Sequence, residues 1–204
     1  MKDETKIVAL LDASGSMSTL LDSYIEGYNS YIASQKSEAP DDKLTLIFFD
    51  STGWGRNLTV RLRTAYENKA LKDIEPLNRS TYTVDGGTPL YDALGSTIDS
   101  VGKELAALPE HERPSRVLIV TQTDGEENAS LTYTKEMVKR RIEHQKTKYN
   151  WEFLFLSADE KALEDAKEMG VSHDMALAYE SNAASTKQVF MNASGATTRY
   201  RASK

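Results

Sequence analysis

Ile7-Val8-Ala9-Leu10-Leu11-Asp12-Ala13-Ser14-Gly15-Ser16 is the stretch whose reading decides the fold. Five apolar residues in a row read as a strand buried on both faces. The strand ends in a carboxylate, Asp12, with hydroxyls following at alternate positions, Ser14 and Ser16. That ending places three oxygens at one sheet edge. An oxygen-only ligand set suits a hard cation such as Mg²⁺. Two later segments supply more oxygens: Gly86-Gly87-Thr88-Pro89, which opens a helix, and Asp124-Gly125, which closes a second apolar strand.

Outward from that stretch the chain alternates between strand and helix periodicity. Lys6 to Leu11 is the first predicted strand, and Leu20 to Gln35 repeats its apolar residues at helical spacing. Lys43 to Asp50 reads as a central strand. Leu58 to Arg63 alternates apolar and polar residues, and its short link to the preceding strand implies a hairpin and an antiparallel edge. Ala70 to Ile74 is predicted as a short helix and Pro89 to Leu108 as a longer one. Arg116 to Val120 is a buried strand, followed by a helix over Thr134 to Tyr149 and a strand over Trp151 to Leu156. Ser157-Ala158-Asp159-Glu160 has capping-box spacing and opens a helix running to about Met169, which Gly170 ends. Asp174 to Ala178 and Ser181 to Asn192 complete the series as a strand and a helix. Strands alternating with helices make an α/β layered sheet.

The three oxygen-bearing segments together resemble the von Willebrand factor A family and its metal-ion-dependent adhesion site. That family's pattern is Asp-x-Ser-x-Ser, then a loop Thr, then Asp followed by Gly. Asp12, Ser14, Ser16, Thr88 and Asp124 match it in order. The wording of Leu11 to Met17, Gly87 to Leu90 and Thr123 to Asn128 is similar to stand-alone A domains of bacteria and their phages. The resemblance implies a Rossmann-like fold with a mostly parallel central sheet in the order 3-2-1-4-5-6, one antiparallel edge strand, and helices on both faces. In that order strands 1 and 4 are neighbours whose helices leave to opposite faces, the place where open α/β sheets bind ligands. Residues 1–193 are expected to form one domain and 194–204 a flexible tail. The tail's small polar residues bury too little apolar surface to offset their ordering entropy. Tyr200, between Arg199 and Arg201, would be its anchor on the acidic body or on a neighbouring subunit.

The resemblance also implies chemistry. The hydroxyls of Ser14, Ser16 and Thr88 bind the metal directly, and at least one of Asp12 and Asp124 acts through water. The cation, Mg²⁺ with Mn²⁺ or Ca²⁺ as alternatives, stays under-neutralised with one position open. A partner protein's Asp or Glu carboxylate fills that position. Gly87, Glu126 and Asn128 are candidates for the partner-binding rim. Without the ion, Asp12 and Asp124 would repel each other. Each residue also has a local reading: Asp12 or Ser14 as a helix cap, Thr88-Pro89 as a cap and first helical residue, Asp124-Gly125 as a turn.

Composition narrows the alternatives. The chain has 204 residues, no cysteine and a formal net charge of −6. Without cysteine there is no disulfide framework, thiolate metal site or thiol nucleophile, which fits a cytoplasmic protein. The acidic balance argues against nonspecific nucleic-acid binding, and no apolar run reaches membrane length. Enzyme readings fit less well. A Mg²⁺-dependent hydrolase of the haloacid dehalogenase kind needs a second Asp two residues after the first, where this chain has Ser14. His111, His144 and His173 lack ligand spacing. The expectation is a non-enzymatic, metal-dependent protein-binding module, with structural homo-assembly or a phage-particle role as the alternative.

Overall fold

The structure, a computed structural model, describes residues 1–203. Its sheet has six strands in the order β3-β2-β1-β4-β5-β6. They are β1 Lys2–Asp12, β2 Lys43–Thr52, β3 Thr59–Ala70, β4 Pro114–Thr123, β5 Glu152–Ser157 and β6 Ala176–Ala178. All neighbours are parallel except β2 and β3, which run antiparallel. This is the Rossmann-like order expected.

β1 lies at the centre because its residues from Ile7 to Leu11 tolerate cover on both faces. The sheet extends from β1 to β2 on one side and to β4 on the other, so crossovers of one hand divide the helices between the two faces. On one face α1 (Leu21–Glu38) packs on α5 (Ala183–Ala202) so closely that a Cβ on Gly27 would sit 2.3 Å from the Phe190 ring. On the other lie α2 (Leu90–Ala107), α3 (Lys135–Tyr149) and α4 (Glu160–Glu168). Arg141 of α3 grips Asp99 of α2, and the Tyr91 hydroxyl of α2 donates to Asp165 of α4. Among the described residues no helix is long and apolar enough to cross a membrane.

Three expectations need correction. β3 runs on to Ala70, well past Arg63, and takes the first residue of the predicted helix at 70–74, the rest of which is reduced to a single 3₁₀ turn at Leu71–Asp73. Its pairing with β2 shifts register near Leu46, and Asn68 takes a left-handed φ of 49°. The irregularity breaks the apolar alternation that marks a strand. Second, α4 is capped by Asp159, whose carboxylate accepts from Ala162 N at 2.8 Å, while Ser157 ends β5. The cap therefore sits two residues after the predicted Ser157.

Third, residues expected to form a flexible tail from Ser194 continue α5 through Ala202; Lys204 lies outside the described residues. Ala193, Ala196 and Thr197 are buried, and the Thr197 hydroxyl meets the Tyr31 hydroxyl at 3.0 Å. Tyr200 and Arg201 are anchors on the chain's own body. The Tyr200 hydroxyl bonds the backbone of Val117 and Asn150, while Arg201 holds Asp42 at 2.9 Å, Gln35 at 3.0 Å and Glu38 at 3.1 Å. Small residues at helical spacing allow close helix contact, so their little apolar area was not a measure of their packing.

Candidate metal centre

Parallel register brings the ends of β1 and β4 together, with Leu11 opposite Gln122. Asp12 therefore lies beside Thr123, whose hydroxyl donates to Asp12 Oδ2 at 2.6 Å. The other carboxylate oxygen accepts from Ser14 N at 2.8 Å, which bends the chain out of the strand. Ser14 then takes the cap position of a 3₁₀ turn at Gly15–Leu20, yet its side chain makes no capping bond. Its Oγ instead meets Ser16 Oγ at 3.1 Å, and Ser16 Oγ donates to Asp124 Oδ1 at 2.7 Å. Asp12, Ser14, Ser16 and Asp124 thus form one connected cluster.

Thr88 reaches the same edge through its loop. Asp85 N donates to Ala13 O at 2.8 Å and Gly15 N to Gly86 O at 3.0 Å, lacing the two loops together. Gly86 has a φ of 66°, and a Cβ there would come within 1.7 Å of Ser51 O, so the loop requires glycine. Thr88 is buried and clamped by Asn128, whose side-chain oxygen accepts from Thr88 N at 2.8 Å and whose N donates to Thr88 O at 3.1 Å. α2 starts at Leu90 with no side-chain cap, so Thr88 is not spent on capping.

Of the candidate rim, Glu126 and Asn128 are exposed and Gly87 is half-buried. Asn128 is thereby also a brace for Thr88. Glu127 turns inward, accepting from Tyr91 N, Ala129 N and Ser130 N at 2.9, 2.8 and 2.7 Å, and so pins the loop to the start of α2. Asp92 does the same from the helix, accepting from the backbone N–H groups of Leu131, Thr132 and Tyr133. Beneath the cluster, the buried Tyr82 hydroxyl donates to Asp12 O and the Tyr179 hydroxyl to Thr123 O. Thr123, Tyr82, Tyr179 and Asp92 were not singled out by sequence; only the position of Thr123 next to Asp124 hinted at a role. Asp50 is buried within β2 and held by Arg61 and Arg63.

The electrostatics set this cluster apart. Burial pushes the Asp12 carboxyl up to about 7 against the lowering effect of its Thr123 and Ser14 hydrogen bonds, and Asp124 adds a smaller upward push. Burial also raises Asp124, opposed by the Ser16 bond. Asp12 is fully buried, yet no basic side chain among the described residues figures in the environment of either acid. Elsewhere the fold gives buried Asp50 two arginines and Asp42 one. Among the described residues no three His, Cys, Asp or Glu side chains gather as a metal cluster. The donor set is instead two carboxylates and neutral hydroxyls, which fits a hard divalent cation. Ser16 Oγ gives its proton to Asp124, so it accepts from Ser14 Oγ and keeps one lone pair for an ion.

Neither a family model nor a curated protein matches the sequence. Solved structures do. One is proximal thread matrix protein 1 of the mussel byssus, with a zinc-occupied MIDAS motif: TM-score 0.60, 11% identity, 95% of this chain and 46% of that one. Another is a von Willebrand factor type A protein from Catenulispora acidiphila: TM-score 0.57, 14% identity, 94% of this chain and 42% of that one. The chain has the von Willebrand factor A fold. The VWA domain of SpRpn10 matches over 91% of this chain and 93% of its own, with TM-score 0.56 and 12% identity. The chain spans less than half the length of the mussel and Catenulispora proteins.

Proposed function

We propose that this protein is a metal-dependent protein-binding module. A divalent cation, Mg²⁺ by the hardness of its donors, is held by Ser14, Ser16 and Thr88 with Asp12 and Asp124. It completes its coordination with an Asp or Glu carboxylate of a partner protein. The observation that carries this reading is the acid pair at the carboxyl ends of β1 and β4, Asp12 buried and Asp124 half-buried, linked through Ser14 and Ser16 with no basic side chain among the described residues to answer it. A cation there relieves a charge imbalance that the protein's own residues leave standing.

The reading includes no catalytic step. The position that would hold an acid/base carboxylate is Ser14, and a serine hydroxyl does not serve as that acid and base. Gly87, Glu126 and Asn128 form the rim the partner meets, with Asn128 also fixing Thr88. The zinc-occupied motif of the mussel protein supports a divalent ion at this place in the fold. The wording of the three motifs supports a bacterial or phage source, and a chain without cysteine fits a cytoplasmic protein.

Isothermal titration with Mg²⁺ and Mn²⁺, on the protein and on Ser14→Ala and Asp124→Ala, tests the metal. Capture of carboxylate-bearing peptides, with and without chelator, tests the partner chemistry. The expected result is saturable metal binding lost in both variants, and capture that chelator abolishes. Metal binding unchanged in both variants would remove the assignment.

A further inference from the structure

We propose that the cavity beside the candidate metal centre is a side-chain subsite for the same partner. It takes an uncharged apolar or aromatic side chain adjacent to the partner's acidic residue, and Trp54 recognises it. This inference rests on the metal-dependent binding reading above.

The cavity has a volume of about 600 Å³, room for a large side chain. One wall is the β2–β3 hairpin with Trp54 and Leu58; the other is Gly86-Gly87, with Ala129 and Asn128 beyond. It adjoins the metal centre across that second wall. Gly86 O accepts from Gly15 N, between Ser14 and Ser16, and Asn128 clamps Thr88. A partner segment that brings a carboxylate to the cation therefore runs past the cavity mouth.

Trp54 is 89% exposed, more than any other large apolar side chain of the described residues. The hairpin that carries it is tightly built. Gly53 has a φ of 77°, and a Cβ on it would lie 2.2 Å from Asn57 O. Gly55 follows at a φ of 58°, and Asn57 N closes back on Trp54 O at 3.1 Å. A constrained turn thus holds a solvent-exposed indole at the edge of a concavity. Exposed aromatics in that setting anchor partners by burying large area at small entropy loss.

The charge of the walls decides the occupant. Among the described residues Asp85 is the sole charged one lining the cavity, and it is already engaged. Its Oδ1 accepts from Gly86 N at 2.8 Å and its Oδ2 faces Arg61 at 3.3 Å. A cationic side chain would compete with Arg61, and an anionic one would meet Asp85. The rest of the lining is uncharged, with Trp54, Leu58 and Ala129 as its apolar part and Ser51, Thr52 and Asn128 as its polar part, and favours a neutral occupant that packs on the indole.

The test uses the whole protein and short capped peptides of Gly and Ser carrying one Asp, its neighbour being Ala, Leu, Phe, Lys or Glu. Binding is read by Trp fluorescence in Mg²⁺ and in chelator. Trp151 is buried, so a change of indole signal reports Trp54. Leu- or Phe-flanked peptides should bind roughly tenfold tighter than the Ala-flanked one in Mg²⁺. Trp54→Ala, read by competition against a labelled peptide, should erase that preference and keep Mg²⁺-dependent capture of the Ala-flanked peptide. Equal affinity across the series, a preference for Lys or Glu, or a preference that survives Trp54→Ala overturns the subsite alone. Failure of every Asp peptide to bind in Mg²⁺ overturns the metal-dependent reading and the subsite with it.

Discussion

Replacing Asp12 by Asn should stabilise the metal-free protein at neutral and alkaline pH while removing its response to Mg²⁺. The Asp12 carboxyl sits at about 7 in the folded chain against 3.8 for an unperturbed group, with burial as the main cause. That difference sets the ionised form at a disadvantage of about 4 kcal/mol on folding. The sign follows from which state holds the proton. Between about pH 4 and pH 7 the unfolded chain loses the Asp12 proton and the folded chain keeps it, so stability falls as pH rises through that window. Above about pH 7 the loss is complete. Asp12→Asn removes the charge and keeps the shape. Its amide oxygen can accept from Ser14 N, and its NH₂ can donate to Thr123 Oγ1, the two partners Asp12 has now.

Thermal melts in chelator, from acid to mildly alkaline pH, measure this. For a chain of this length about 4 kcal/mol corresponds to roughly 10 °C in melting temperature. The variant should exceed the parent by that order above about pH 7 and converge with it toward pH 4. Millimolar Mg²⁺ should restore the parent, since a ligand of the folded state alone stabilises by RT ln(1 + [L]/Kd), and leave the variant unmoved. Two melting curves that run parallel at every pH would refute the assignment of a buried, uncompensated Asp12 charge. A variant that gains as much from Mg²⁺ as the parent would refute its part in the metal site.

Three further outcomes follow from the geometry. Ser16→Ala should leave the fold within about 0.5 kcal/mol, because Ser16 is exposed, yet weaken Mg²⁺ binding by titration. Truncation before Ser194 should cost at least about 3 kcal/mol in chemical denaturation, since it removes buried Ala196 and Thr197 and the Arg201–Asp42 pair; the intact protein should show hydrogen-exchange protection from Thr197 to Arg201. Gly95→Ala should destabilise by about 1–3 kcal/mol without touching the site, because its Cβ would lie 2.1 Å from the Tyr133 ring.

The cluster was legible where its residues are close in sequence or carried by a motif. Asp12, Ser14 and Ser16 lie within one turn, and β1 and β4 are apolar runs whose ends are easy to place. What supports them comes from far away and carries no local mark. Thr123 reaches Asp12 across 111 positions and Tyr82 across 70. Glu127 reads as a loop acid, and only the start of α2 shows that it is a brace. The two misjudged segments share a cause. β3 and the end of α5 gain their order from backbone pairing and small-residue contact, which a count of large apolar side chains does not register.

How the support is arranged bears on what the site does. Tyr82 and Tyr179 donate to the backbone carbonyls of Asp12 and Thr123 and not to the carboxylates. They fix the strand ends without neutralising the acids. Gly15 and Asp85 tie the loops by backbone bonds alone, so the side-chain hydroxyls of the cluster stay out of the scaffold. Meanwhile Lys6 is paired with Glu104, Asp50 with Arg61 and Arg63, and Asp42 with Arg201. The fold answers buried Lys6, Asp42 and Asp50 with charged side chains and buried Asp92 with three backbone N–H groups; Asp12, with one N–H, one hydroxyl and a second acid nearby, leaves room for a cation from outside. That arrangement also explains why stability should respond to the ion: binding supplies the charge that the chain withholds.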